Sequence, residues 1–126
     1  MFCKVLLITY ICCINESGMN LENAASQMRK GLLEFCILGI INREKEAYPS
    51  DILEQLKQAN LLVLEGTLYP LLTRLKNADM LTYRWEESPS GPPRKYFSLT
   101  KNGLKFYHKL HETWAELSAA VNHLTS

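Results

Sequence analysis

Cysteine is scarce where it would matter. Four are present in 126 residues, but Cys3, Cys12 and Cys13 fall in the first apolar segment, only Cys36 lies beyond it, and there is no Cys-x-x-Cys pair. Zinc sites and disulfide frameworks need paired or clustered ligands, so neither organises this protein, and Cys36 reads as a small buried hydrophobe in a reducing compartment. Histidine is limited to three residues. His108 and His111 share a helix face with Glu112 next to them, but two imidazoles without a third protein ligand suit a solvated face better than a metal site; a pH-sensing role for His111 at the margin of the seam is a minor alternative of the same rank as the metal site. No metal or other cofactor is expected. No Ser or Cys nucleophile stands beside a histidine and there is no phosphate-cradling glycine loop, so the chain reads as something other than an enzyme. No apolar run reaches the ~20 residues of a membrane-spanning helix.

What is present is the composition of one globular domain: 47% hydrophobic and 21% charged residues,. The net charge of +1 is uninformative, but its distribution is not. From Pro70 to Lys109 there are eight cations (Arg74, Lys76, Arg84, Arg94, Lys95, Lys101, Lys105 and Lys109) against three acids (Asp79, Glu86 and Glu87), a net of +5, while the segments before and after each sum to −2. Such a concentration is what a phosphate-facing surface requires, although a solvated basic face has the same composition.

Residues 1–18 form an apolar N-terminal extension. Phe2–Ile14 is too short to span a membrane, and the Asn-Glu-Ser-Gly that follows lacks the small-x-small pattern of signal cleavage. The favoured reading is that translation begins at Met19, with an ordered or partner-binding extension as the next and a secretory signal as the last.

Periodicity then lays out the elements. A helix from about Glu22 to Asn42 is apolar nearly all round from Leu32 to Ile41, which suits a central, buried position. After the charged Arg43–Glu46, Pro49 and Asp51 start a second helix that runs to about Gln58 and buries Ile52, Leu53 and Leu56. The third spans about Glu65 to Ala78, with Leu68, Leu71, Leu72 and Leu75 as its core stripe, and with Gly66, Pro70, Thr73 and Asn77 opposite. Tyr69 and Arg74 flank that stripe. Leu81, Tyr83 and Trp85 alternate with polar residues as in a half-buried strand, Ser88–Pro93 forms a six-residue tip, and Phe97 and Leu99 alternate in a returning strand,. Thr100 caps a final helix whose Tyr107, Leu110, Trp114, Leu117, Val121 and Leu124 are spaced 3, 4, 3, 4, 3,. This heptad seam extends beyond a core already complete, so its simplest partner is the same helix of a second chain; packing back on the first helix is the alternative. Helix, helix, helix, hairpin, helix makes a mainly α protein with a small β-hairpin wing: a winged helix-turn-helix over residues 19–100 followed by a dimerisation helix over 101–126.

Gly66-Thr67-Leu68-Tyr69-Pro70 resembles the signature on the third helix of PadR-like transcriptional regulators, and Pro93–Thr100 with Gly103 resembles their wing and following helix start. Tyr48–Ile52 sits where that family carries its second-helix motif, and the likeness covers about Glu22 to Leu124. Leu64 departs from the pattern, since a small polar residue usually precedes the signature, and the third helix is left without an obvious cap. The short single C-terminal helix places the chain in a compact subgroup.

The resemblance implies a cytoplasmic homodimeric regulator, read as a repressor, that inserts the third helix into the major groove of an inverted-repeat operator and lays its wing on the backbone or minor groove. On that basis the DNA-contacting set is Thr67, Tyr69, Pro70, Thr73, Arg74, Arg94 and Lys95, with Arg74 the residue most able to read guanine and Arg94 and Lys95 neutralising phosphate. Tyr107, Leu110, Trp114, Leu117, Val121 and Leu124 form the dimer interface. Thr113-Trp114-Ala115-Glu116 also resembles the C-terminal helix of multidrug-sensing relatives, which implies a planar aromatic effector at Trp114; simple filling of the interface is the competing role. A winged-helix module that binds protein instead of DNA is the alternative from another class.

Overall fold

The computed structural model describes residues 20–61 and 63–126; the N-terminal extension lies outside them. The elements are α1 (Leu21–Glu44), α2 (Pro49–Gln58), α3 (Glu65–Asn77), β1 (Leu81–Ser88), β2 (Gly91–Leu99) and α4 (Lys101–Thr125). Residues divide between Leu33 and Glu34 into two compact units. In the first, Asn20 starts α1: its Oδ1 accepts from the Asn23 N–H at 2.8 Å, so the helix begins one residue before the position that periodicity suggests,. Leu21 and Met28 are exposed there.

The second unit carries the core. Ile37, Leu38, Ile40 and Ile41 of α1 are buried, together with Ile52 and Leu56 of α2, Leu68, Leu72 and Leu75 of α3, and Leu81 and Phe97 of the hairpin. Each fully buried Leu or Ile contributes about 1.5–3 kcal/mol relative to exposure. Leu53 and Leu71, also read as core residues, are only half-buried, at the margins of their stripes.

Helices α2 and α3 stop in the same way. Asn60 and Asp79 take left-handed φ values of 63° and 64°, and the next residue's N–H returns to the helix, Leu61 to the Leu56 carbonyl at 2.8 Å and Met80 to the Leu75 carbonyl at 2.9 Å. Asn and Asp tolerate this conformation better than other residues with a side chain, and the returning bond satisfies a carbonyl that the helix end leaves open. Helix α3 starts on an extended Leu64 with no side-chain cap, the feature that the sequence shows at that position.

The two strands pair antiparallel from Leu81↔Leu99 to Ser88↔Gly91, with a register shift between Glu86 and Ser88. The hairpin is longer than its composition suggests: Pro92 and Pro93 belong to β2, and only Pro89 and Ser90 remain as a tip. Proline is tolerated because β2 has a partner on one side only and needs no second row of N–H donors. At its root, Ala47 exchanges both backbone hydrogen bonds with Phe97 at 2.9 Å and so fastens the wing to the α1–α2 connection.

Helix α4 is held at its first turn. Thr100 Oγ1 accepts from the Gly103 N–H at 2.9 Å and donates to the Asp79 carbonyl at 2.6 Å, while Asn102 Nδ2 donates to Asp79 Oδ2 at 2.7 Å. The end of α3 and the start of α4 are thereby tied through one aspartate. Gly103, in this first turn, is the one buried residue of α4.

Candidate nucleic-acid interface

The outer face of α3 is open. Gly66, Thr67, Tyr69, Pro70, Thr73 and Arg74 are all exposed, as the placement of the leucine stripe on the opposite side requires,. Pro70 has no N–H to donate one turn back, so the Gly66 carbonyl lacks its helical partner on this exposed surface,.

A cleft of about 270 Å³ runs between α3 and the wing, and Tyr69 and Thr73 line it from one side, Arg94 and Lys95 from the other. Four of the seven residues assigned to DNA contact therefore share one concavity; Thr67, Pro70 and Arg74 are not part of its lining. Tyr48 and Trp85 are, although the sequence reading assigns neither to DNA contact. Trp85 is 60% exposed although it occupies the strand position that alternation assigns to the inner face, because the wing projects past the core at that point. An apolar residue four positions before Pro89 at the tip was the available signal.

Aromatic rings orient both wing cations. The Arg94 guanidinium lies 4.8 Å from the centre of the Tyr48 ring, and the Lys95 ammonium lies 4.2 Å from Tyr83 and 5.1 Å from Trp85. A ring face attracts a cation without neutralising it, so the positive charge stays available to solvent and to phosphate. Among the described residues no acid pairs with Arg94 or Lys95.

The other arginines of the basic stretch are engaged. Arg84 donates from Nε and Nη2 to the two Glu46 carboxylate oxygens at 2.6 and 2.8 Å, and from Nη1 to Glu86 at 3.1 Å. The hydrogen bond from Arg84 holds the Glu46 carboxyl below its ordinary value, and the bonds to Glu46 and then Glu86 raise the guanidinium further. Arg74 forms an ion pair with Glu34 of α1. Cys36 is half-buried, not the buried hydrophobe that the sequence suggests, because it sits at the margin of the α1 core stripe; this partial burial pushes its thiol up.

The α4 seam is divided. Tyr107 packs within the chain, its ring 5.7 Å from that of Phe35 and in contact range of the Cβ position of Gly39. Leu110 is half-buried, and Trp114, Leu117, Val121 and Leu124 are exposed. Trp114 lines a groove of about 460 Å³ with Phe35, Tyr107 and His111. No helix among the described residues is long and apolar enough to cross a membrane.

The family model of the transcriptional regulator PadR-like family matches residues 37–109, from the second half of α1 into α4. The chain belongs to that family. It is therefore a transcriptional regulator of the PadR-like kind and not an enzyme. A PadR-like transcription factor from Bacteroides fragilis is 56% identical, with 82% of this chain and 99% of that one covered and a TM-score of 0.69. A PadR-like regulator from Bacillus cereus is 36% identical over 78% of this chain and 95% of its own, also with a TM-score of 0.69. The Bacillus subtilis PadR, solved in complex with operator DNA, is 24% identical, covers 63% of this chain and 46% of its own, and shares the fold with a TM-score of 0.57. Over its described residues this PadR-like chain has four helices and one hairpin, in the winged-helix arrangement of those structures.

Proposed function

We propose that the protein acts in the cytoplasm as a homodimeric repressor that binds an inverted-repeat operator. Helix α3 enters the major groove, and Arg94 and Lys95 of the wing lie along the phosphates. The observation that carries this reading is the cleft lined by Tyr69 and Thr73 of α3 and by two wing cations that have no acid partner among the described residues. Hydroxyls can bond base edges or phosphates, and paired cations fix the register on the backbone. A PadR relative was solved with operator DNA, which supports the same mode of action here.

The exposed Trp114, Leu117, Val121 and Leu124 support dimerisation through α4, since they form a stripe of large apolar side chains at heptad spacing that has no partner among the described residues,. Two recognition helices related by a two-fold axis meet the groove about one helical turn apart, ~10 bp. A planar aromatic effector bound beside Trp114 releases the DNA; the groove next to that ring is within the size range of small-molecule sites,.

Selection of bound duplexes from a random pool tests the reading. A palindromic product with half-sites one turn apart is the expected result. Recovery of no enriched sequence, with binding that is indifferent to salt, would leave a protein-binding winged helix instead.

A further inference from the structure

Arg74 is the one arginine on the outer half of α3, and in a DNA-binding reading it is the obvious guanine reader. Its guanidinium is nevertheless committed to the Glu34 carboxylate of α1. The exposures of the two side chains are unequal: Arg74 remains 68% exposed in the pair, whereas Glu34 is only 24% exposed. Separation therefore costs the two partners differently. A freed Arg74 is solvated at once, but a freed Glu34 is left as a partly covered carboxylate without its counter-charge, and that desolvation is what breaking such a pair costs. A phosphate at the rim of a DNA interface offers Arg74 one screened contact in return, worth little more than the release of a single counterion.

We propose that Glu34 withholds Arg74 from the phosphate backbone and is a specificity-determining residue of the regulator, a built-in brake on sequence-independent binding. The inference rests on the DNA-binding reading above. Non-specific affinity is almost wholly electrostatic, so each cation removed from reach of phosphate lowers it while leaving hydrogen bonding to bases in place. With Arg74 withheld, the outer face of α3 presents the neutral hydroxyls of Thr67, Tyr69 and Thr73, and the cations left to attract phosphate are Lys76 in its last turn and Arg94 and Lys95 of the wing.

Anisotropy titrations of the full chain against a random-sequence duplex between 50 and 200 mM salt test the brake. Glu34→Gln keeps the shape and removes the charge. It should bind random duplex more tightly, with a log K against log salt slope steeper by about 0.9, so that its advantage over wild type grows about threefold from 200 to 50 mM. Adding Arg74→Gln to Glu34→Gln should abolish the extra slope, because the gain comes from the released guanidinium. An unchanged slope in folded Glu34→Gln overturns the proposal, as does a double variant that keeps the gain. If Glu34→Gln fails to fold, Arg74→Gln alone decides: loss of about 0.9 in slope would mean that the guanidinium already sits on phosphate in the wild type, against the brake. Wild-type protein with no salt-dependent binding sinks the DNA reading itself, whereas binding indifferent to Glu34 sinks only the brake.

Discussion

Gly103 approaches the Met80 carbonyl so closely that a Cβ at residue 103 would overlap the oxygen. The contact sits inside the knot in which Thr100 and Asn102 grip Asp79, so the backbone that must yield is already fixed by three hydrogen bonds. Gly→Ala inside an ordinary helix stabilises by about 0.5–1 kcal/mol. Here Gly103→Ala should instead destabilise, by roughly 1–3 kcal/mol in urea unfolding, as overpacking does in a fixed core. Unchanged or increased stability would mean that α4 can shift away from the end of α3.

The Glu46–Arg84 clamp fastens β1 to the α1–α2 connection and sets a pH dependence with a definite sign. Folding holds the Glu46 carboxyl below its ordinary value, chiefly through the hydrogen bond from Arg84. The stabilisation is therefore fully present above the unfolded-state value, about pH 4.3 for glutamate, and is lost as pH falls through the lower folded-state value. Stability of wild type relative to Glu46→Gln should be constant from neutral pH down to about pH 5 and shrink below it. Both side chains are on the surface, so the effect is small and salt-sensitive. A difference between the two proteins that instead changes between pH 6 and 8 would assign the titration to another group.

Arg94 carries charge and stacking at once, and two substitutions separate them. Arg94→Ala should weaken binding to every sequence alike and lower the salt slope by about one unit. Arg94→Lys keeps the charge and should keep the slope, while losing the guanidinium's contact with the Tyr48 ring,. A change in sequence preference on Arg94→Ala would mean that the wing reads bases.

Much of this architecture is legible in the sequence because it follows from periodicity. The leucines at 68, 72 and 75 are buried as their spacing requires, Thr100 caps α4, and the wing cations lie beside the open face of α3. What is not legible depends on contacts between distant positions. Nothing local in Leu32–Ile41 indicates that Glu34 turns toward a residue forty positions away, nor that Ala47 pairs with Phe97. The hairpin tip is misjudged because proline is read as a strand breaker, which fails in a strand with only one neighbour,. Tyr107 begins the heptad seam by spacing, yet the space above Gly39 admits its ring, so the chain's own α1 occupies it.

That division of the seam shapes the last prediction. Since Tyr107 is engaged within the chain, the stripe open to a second copy runs from Leu110 to Leu124, and a truncation from Leu110 onward should sediment as a monomer. Trp114 stands where the two parts meet, 41% exposed, with the groove on one side and the open stripe continuing beyond it. A large flat ring fits poorly in a tight helix pair but makes a good wall for a planar ligand. In a Trp85→Phe background, which leaves Trp114 as the only tryptophan, planar aromatic compounds should quench its emission and weaken operator binding in proportion to occupancy. The two effects must track each other, because a ligand shifts an equilibrium only by its differential affinity for the two states. Trp114→Ala in an otherwise wild-type chain should abolish the ligand's effect on operator binding while leaving a dimer that still binds DNA. A panel of aromatic cations and phenolic acids that neither quenches Trp114 nor alters DNA affinity would show that the ring serves packing alone.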